Sequence, residues 1–167
     1  GFGVGRGSHG RWRSRVRGLA EFGGELPVAV LAEEILTEGT GQIRGLLTIA
    51  GNPVLSTPNG GQLDRALGKL DLLISVDPYI NETTRHAHVI LPGLSPLEQP
   101  HFDDLIAMWA VRSAGNYSAP VFPPAPGRPA EWEILLKLGA LAGGMTLDQI
   151  DVAAIDDGYF MALAMAQ

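Results

Sequence analysis

The sequence predicts an α/β doubly wound fold with a parallel sheet and helices on its faces. Two short, apolar, β-rich runs, Ile43–Ile49 and Leu72–Val76, are typical of buried strands, and a helical pattern lies between them. Strand, loop, helix and strand over this length form a βαβ unit, which requires parallel strands. The chain has 167 residues, of which 46% are hydrophobic and none is Cys, so a core of ordinary size forms without disulfides.

Residues 1–26 form an Arg- and Gly-rich head that differs from the rest of the chain. The first 18 residues contain five arginines and no acidic residue, whereas the remaining residues include seven basic and eighteen acidic side chains. Such a head is typical of a flexible arm, or of a segment docked on an acidic neighbour, and we expect it to be left from a longer chain. The acidic body repels polyanions, so no nucleic-acid partner is expected.

The first helix is predicted over residues 27–38. Pro27 favours the first turn of a helix, and Gly39 is placed to end it. The apolar positions repeat at helical spacing and are Val28, Leu31, Ala32 and Ile35. Adjacent Glu33 and Glu34 project at different angles from this helix, so they are expected on a solvated face and do not form an acid/base pair.

A second helix is predicted after the turn-forming residues 56–61. Its inner stripe consists of Leu63, Ala66, Leu67 and Leu70. The strand Leu72–Val76 follows and stops at Asp77-Pro78. Residues 81–84 are placed to cap a helical turn, and Val89–Leu91 is predicted as a third short strand before Pro92.

The C-terminal part begins with a Pro-rich stretch, residues 92–129, which is expected to consist of loops with one strand over Ile106–Val111. Residues 131–142 are predicted as a helix that ends at a Gly pair. Thr146 is expected to cap a short helix, and Asp156 a final apolar one.

Several classes of function are excluded by composition and missing motifs. Without Cys, the chain holds no thiolate zinc site, no Cys-ligated iron–sulfur cluster and no Cys nucleophile. No apolar run approaches the roughly 18 residues needed to span a bilayer, so no membrane span is expected. Gly-rich dinucleotide fingerprints and Walker motifs are absent, which disfavours ordinary dinucleotide and nucleoside triphosphate folds.

The strongest local feature is a pair of loops at the carboxyl ends of the two predicted parallel strands. Asn52 lies in the loop after the first strand, and Asp77 directly follows the second. Ligands of open α/β sheets bind in the crevice outside these strand ends. Asn52 offers a donor and an acceptor, and Asp77 accepts two N–H groups from one edge of a heterocycle such as guanine. The alternative is that both residues only cap turns before Pro.

His86 and His88 stand two residues apart, which on a strand places both imidazoles on one face and would allow metal chelation. A hydrogen-bonded or solvated role is the expected one, and no metal site is predicted.

The ordered set of short motifs resembles the molybdopterin oxidoreductase family. The motifs are Leu-Leu-Thr-Ile-Ala-Gly-Asn-Pro at 46–53, Leu-Ile-Ser-Val-Asp-Pro-Tyr-Ile-Asn-Glu-Thr-Thr at 73–84, His-Val-Ile-Leu-Pro at 88–92, and Glu98. The family includes formate dehydrogenases, periplasmic nitrate reductases and dimethyl sulfoxide reductase. The resemblance covers residues 12–135 and implies the family's Rossmann-like third domain. That domain holds the guanosine end of one pterin of a bis-molybdopterin guanine dinucleotide cofactor.

The resemblance implies five cofactor-binding residues and no catalytic or metal-ligating residue in this chain. Asn52 matches an asparagine that contacts the cofactor, and Val76 and Asp77 match a small residue and the aspartate that contacts guanine. Gln99 falls where several members have a cofactor-contacting Lys, and Glu131 where they have an Asp.

Three further positions are informative about the loops. Glu82 and Thr83 are retained from the family pattern and are expected to shape the turn rather than touch the ligand. His88 replaces an Asp, which leaves the role of that Asp in placing the loop open.

The resemblance also divides the chain and places the redox chemistry elsewhere. It implies a cofactor-binding α/β domain at 27–145 and a C-terminal helical extension at 146–167. Molybdenum or tungsten, an upstream iron–sulfur cluster and a downstream capping domain belong to the complete enzyme, and the other domains of the polypeptide are the expected partners. The chain is therefore expected to be an internal fragment that is inactive alone.

Two alternative functions remain open at this level. The same fold occurs in the large subunit of respiratory NADH dehydrogenases, where it serves as a cofactor-free structural domain. A stand-alone module for an unrelated nucleotide is the other alternative.

Overall fold

The computed structural model describes residues 9–103, 111–112 and 115–156. The chain divides into two compact units, Gly1–Leu91 and Pro92–Gln167, which are described separately.

The first unit is built on a three-stranded parallel sheet. Its strands are β3 (Gly45–Ile49), β4 (Leu72–Val76) and β5 (Val89–Ile90), adjacent in that order. β3 and β4 pair in parallel from Gly45 opposite Leu72 to Ile49 opposite Val76, and β4 pairs in parallel with β5. Helices flank this sheet, so the mixed α/β prediction with a parallel sheet is confirmed, including its third strand.

Three helices precede or connect the strands β3 and β4. A 3-10 turn, Val28–Val30, leads into α1 (Leu31–Leu36), and α2 (Pro53–Ser56) and α3 (Gly60–Leu67) join β3 to β4. The core cluster consists of Ala32, Ile35, Leu63, Ala66, Leu67, Leu70 and Leu73. Six of the eight positions predicted from helical spacing belong to it; Leu31 is partly buried against it, and Val28, at 47% exposure, lies outside it. Burial of this apolar stripe against the sheet is what fixes the helices on that face.

The other face of the sheet is apolar and half exposed. Leu47, Ile49, Leu72 and Val89 keep between 43% and 47% of their accessible surface. Alternation along β3 explains this division, because Leu46 packs on the core cluster while its neighbour Leu47 projects to the opposite side.

The head contains an antiparallel hairpin that the sequence did not predict, formed by β1 (His9–Arg13) and β2 (Ala20–Phe22). The connecting turn lets the head contact α1 through charged groups. Arg15 Nε lies 3.3 Å from Glu34 Oε2, and Arg17 Nε lies 2.7 Å from Glu33 Oε1. In the described residues 9–26, the head is thus docked on an acidic neighbour, which is part of this same chain.

The expectation of a solvated face for Glu34 is wrong. Its side chain is only 5% exposed, and Oε1 accepts the backbone N–H of Val16 at 2.8 Å. Partners from the head compensate the cost of burying this carboxylate. Glu33 is also largely covered, by the guanidinium of Arg17.

The second unit contains a small hairpin and a long helix. β6 (His101–Asp103) pairs antiparallel with β7 (Asn116–Ser118), and α4 (Glu131–Ala142) matches the predicted helix. Thr146 precedes the 3-10 turn Leu147–Gln149 in a capping box, as expected of a cap.

Two expectations for the second unit need comment. The predicted strand Ile106–Val111 falls, apart from its last residue, outside the described residues. Asp156 lies within the helical residues 152–156, so it does not precede a helix as a cap, and the apolar segment beyond it is also outside the described residues. Within the described part of the chain, no helix is long and apolar enough to cross a membrane.

Candidate functional site

The loop after β3 and the loop after β4 begin side by side at the same edge of the sheet. Ile49 and Val76 are register partners at the ends of β3 and β4, and the backbone N–H of Ala50 donates to the carbonyl of Val76 at 2.9 Å. Ala50 has a φ of 45°, a left-handed conformation that is uncommon for a residue with a Cβ. This turn ends the pairing and directs residues 51–53 away from the strand.

Asn52 is held at both ends of its side-chain amide by residues of the other loop. Its Nδ2 donates to Glu82 Oε2 at 2.6 Å, and its Oδ1 accepts the hydroxyl of Thr83 at 2.8 Å. The Thr83 hydroxyl oxygen also accepts the backbone N–H of Val54 at 3.1 Å. The loop after β3 is therefore tied to the loop after β4 by three hydrogen bonds.

The electrostatic state of Glu82 follows from this contact. The hydrogen bond from Asn52 holds the pKa of the Glu82 carboxyl below its ordinary value, with a further contribution from its backbone N–H. The carboxylate is stabilised in its charged form because the donors favour that form.

Asp77 lies buried at the end of β4, with 6% of its surface exposed. Its Oδ1 accepts the backbone N–H of Tyr79 at 2.7 Å, and its Oδ2 lies 3.5 Å from the amide nitrogen of Asn81. A carboxylate has about four acceptor positions, so Asp77 retains acceptor capacity after these contacts.

Asn81 organises the turn that carries Glu82 and Thr83. Its Oδ1 accepts the backbone N–H groups of Thr83 and Thr84 at 2.9 and 3.0 Å, directly before the 3-10 turn Thr84–His86. The N-cap residue of that turn is Thr83, whose own side chain makes no capping bond. The Thr84 hydroxyl accepts the Asn81 N–H at 2.8 Å and donates to the carbonyl of Tyr79 at 2.9 Å. The backbone of residues 79–84 is thus fixed by side chains of its own loop.

Val76 is almost completely buried, at 1% exposure. Its carbonyl accepts the Ala50 N–H, so Val76 closes the sheet directly below both loops. Asn52, Val76 and Asp77 are therefore brought together at one edge of the first unit.

Gln99 and Glu131 belong to the second unit. Gln99 is half-buried and follows a turn in which the Ser95 N–H donates to Glu98 Oε2 at 2.9 Å. Glu131 is the first residue of α4 and packs against Gly93, where an added Cβ would stand 3.4 Å from the Cβ of Glu131.

The two histidines have separate hydrogen-bonding roles. His86 Nε2 lies 2.7 Å from Asp64 Oδ1, which also accepts from Arg85 at 2.6 Å, and these contacts lower the pKa of Asp64, that with Arg85 most strongly. His88 Nδ1 accepts the backbone N–H of Leu73 at 3.0 Å. No group of three or more His, Asp or Glu side chains within the described residues is arranged to hold a metal ion.

The structure shows what the side chain at position 88 does. A ring nitrogen accepts the N–H of Leu73, so His88 supplies an acceptor to β4 as an Asp carboxylate at this position would. Sequence reasoning placed Glu82 and Thr83 in the turn but missed their contact with Asn52. No local sequence signal pointed to this contact, because the two loops are about 30 residues apart along the chain.

Comparisons with known proteins give consistent results. A family model described as Molybdopterin oxidoreductase matches residues 10–140. The assimilatory nitrate reductase catalytic subunit of Bacillus subtilis is 32% identical over 123 residues, which cover 71% of this chain and 16% of that protein. The F420-dependent formate dehydrogenase 1 subunit alpha of Methanococcus maripaludis is 33% identical over 72 residues, 43% of this chain and 11% of that protein.

A shorter match lies in the NADPH-Fe(3+) oxidoreductase subunit alpha of Geobacter sulfurreducens, which is 40% identical over 53 residues, 32% of this chain and 6% of that protein. In each case the matched region is about a sixth or less of the relative's own length.

Proposed function

The chain belongs to the molybdopterin oxidoreductase family, and from this premise we propose that it holds the guanosine end of one pterin in a bis-molybdopterin guanine dinucleotide cofactor. The candidate site is the edge of the first unit at which the loops after β3 and β4 lie side by side. Ligands of open parallel sheets bind at such an edge, outside the carboxyl ends of the strands.

The buried carboxylate of Asp77 carries the proposal. The Watson–Crick edge of guanine presents two adjacent donors, N1–H and the N2 amino group, and a carboxylate accepts both with its two oxygens. Asp77 fits this task because its Oδ2 has only a 3.5 Å contact and its Oδ1 a single short one. Adenine offers no such pair of donors, so the site selects guanine.

The other predicted residues have supporting places in this proposal. Asn52 contacts the nucleotide with the amide groups that its partners leave available, and Val76 closes the sheet under the loops. Gln99 and Glu131 lie in the second unit and are proposed as cofactor-binding residues on the strength of the family resemblance. Both side chains are partly accessible, and within the described residues neither makes a side-chain hydrogen bond.

The redox chemistry belongs to the complete enzyme. The bound cofactor supplies two-electron redox or oxygen-atom transfer at its molybdenum or tungsten, and this chain contributes orientation and polarity rather than reacting groups. We place the iron–sulfur cluster and the capping domain of the enzyme outside these 167 residues, so the chain alone is inactive.

Calorimetric titration of the chain with GDP and ADP tests the proposal. GDP is expected to bind and ADP to give no heat of binding. The variant Asp77→Asn keeps an oxygen for the Tyr79 N–H but turns N–H donors toward the base. We expect it to weaken GDP binding about 100-fold, because two hydrogen bonds to a charged group are lost.

Asp71→Ala is the matched control, since Asp71 is an exposed aspartate directly before the same strand and pairs with Arg44. It should bind GDP as the unaltered chain does. Equal heats for GDP and ADP, or equal GDP affinity for Asp77→Asn, would contradict the proposal.

A further inference from the structure

We infer that Glu82 and Thr83 are positioning residues, which clamp the Asn52 amide in the orientation that the nucleotide requires. This inference rests on the proposed function and assigns the loop after β4 a second task, besides carrying Asp77.

The clamp engages both ends of one amide. Glu82 accepts from Nδ2 of Asn52 at 2.6 Å, and the Thr83 hydroxyl donates to its Oδ1 at 2.8 Å. A carboxylate can only accept a hydrogen bond, so the Nδ2 end of the amide faces Glu82. The Oδ1 end then faces Thr83, whose hydroxyl donates to Oδ1 while its oxygen accepts the Val54 N–H. The amide is therefore fixed against a flip, and its remaining Nδ2–H and its remaining Oδ1 lone pair have defined directions.

The clamp is itself rigid. Thr83 is 0% exposed, and its backbone N–H donates to Asn81 Oδ1 at 2.9 Å. Its hydroxyl joins the first turn of α2 to the other loop through Val54. The Thr83 hydroxyl is fixed by the Val54 N–H on one side and by Asn52 Oδ1 on the other. It therefore holds the Asn52 amide in place, because moving that amide would leave the buried hydroxyl without its acceptor.

The physical benefit is a lower entropic cost of binding. A free Asn side chain loses rotamer freedom when it binds a ligand, and this loss opposes binding. The Asn52 side chain loses this rotamer freedom when the chain folds, so the amide is already oriented when the ligand binds. Neither Glu82 nor Thr83 needs to touch the nucleotide for this effect.

A double-mutant cycle on GDP affinity tests the inference. Thr83→Val and Glu82→Ala are each expected to weaken GDP binding about 10-fold in the unaltered background, by the loss of one oriented hydrogen bond. Neither is expected to weaken it further in an Asn52→Ala background. Thr83→Ser and Glu82→Gln keep the required donor and acceptor, so they should restore GDP affinity to within about threefold.

Two matched controls accompany the cycle. Thr57→Val removes a hydroxyl from the end of α2 that donates only to the carbonyl of Pro53, and Glu38→Ala removes an exposed carboxylate after α1. Both should bind GDP with unchanged affinity. Melting temperatures of all variants are recorded, and affinities are measured below the lowest of them, so that unfolding does not contribute.

The possible results separate the inference from the proposed function. Additive losses of affinity in the Asn52→Ala background would mean that Glu82 and Thr83 contact the ligand directly, which overturns the inference. Lower melting temperatures with unchanged GDP affinity would also overturn it, because the role is then only structural. Absence of GDP binding by the unaltered chain would overturn the proposed function, and the inference with it.

Discussion

The loops after β3 and β4 leave the same edge of the sheet, but they hold their polar side chains in different ways. Asn52, in the first loop, has both ends of its amide bonded to the second loop at 2.6 and 2.8 Å. Asp77, in the second loop, has one short contact, with the Tyr79 N–H of its own loop. The first loop depends on its neighbour for its geometry, whereas the second is organised locally.

This difference indicates a division of tasks between the loops. The locally organised loop keeps a buried carboxylate with acceptor capacity, and it also supplies the groups that hold Asn52. Substitutions in the second loop are therefore expected to alter the structure of both loops. Substitutions in the first loop are expected to alter only the first loop.

The largest expected effect comes from a change at Gly60, the first residue of α3, which contacts the helix that follows the first loop. A Cβ on Gly60 would stand 1.9 Å from the carbonyl oxygen of Val54, a backbone atom of α2. Gly60→Ala should therefore displace α2 from α3 and lower the free energy of unfolding by about 3 kcal/mol, as overpacking does. Urea denaturation measures this.

Gly61→Ala is the matched control, because a Cβ there meets no atom within 4 Å. It should leave stability unchanged or raise it by up to about 1 kcal/mol through better helix propensity. Equal destabilisation by both changes would show that the approach of α2 to α3 is not the constraint.

Removing Asn81 should loosen the second loop. Asn81→Ala leaves the N–H groups of Thr83 and Thr84 without their acceptor, at an expected cost of about 1–2 kcal/mol. Asn81→Ser offers a hydroxyl oxygen as acceptor and places no second carboxylate near Asp77, so it should cost less. Since Thr83 holds Asn52, amide hydrogen exchange in Asn81→Ala should increase at Asn52 and Val54 as well as at residues 81–84. Faster exchange at residues 81–84 alone would contradict the claim that the first loop depends on the second for its geometry.

His88 supports the strand that carries Asp77. His88→Leu leaves the N–H of Leu73 without its side-chain acceptor and should lower stability by about 1 kcal/mol. His88→Asp restores an acceptor and should retain most of that stability in thermal denaturation. If the two variants prove equally unstable, the acceptor role of position 88 is wrong.

The smallest expected effect is a pH dependence from Glu82. Its pKa is lowered in the folded chain by the Asn52 hydrogen bond, so its contribution is complete above the ordinary Glu pKa of about 4.3 and is lost as the pH falls through the lowered value. Glu82→Gln should therefore make the loss of stability below about pH 4 shallower, measured as the urea midpoint at each pH. Glu38→Gln serves as the control, and an acid profile of Glu82→Gln identical to that of the unaltered chain would contradict the role of this carboxylate.

Periodic features of the first unit were accessible from the sequence, and side-chain pairs distant along the chain were not. The strands Gly45–Ile49 and Leu72–Val76 are apolar runs bounded by turn residues, and the apolar stripe of α3 repeats at helical spacing. The contact between Asn52 and Glu82 joins residues 30 apart, and no local pattern encodes it.

The head illustrates the same limit. Arg15 and Glu34 are 19 residues apart, and each alone is typical of a solvated surface. Only the tertiary contact shows that they bury each other. The candidate residues Asn52 and Asp77, by contrast, were predictable because parallel strands end at one edge of a sheet, so the residues that follow them lie close together.

A crystal structure of the chain with bound GDP is the most direct test of the account. It should place the N1 and N2 atoms of guanine about 2.7–3.0 Å from the two carboxylate oxygens of Asp77, with Asn52 still bonded to Glu82 and Thr83. A base bound away from Asp77, or an Asn52 amide released from Glu82 and Thr83 to reach the ligand, would contradict it.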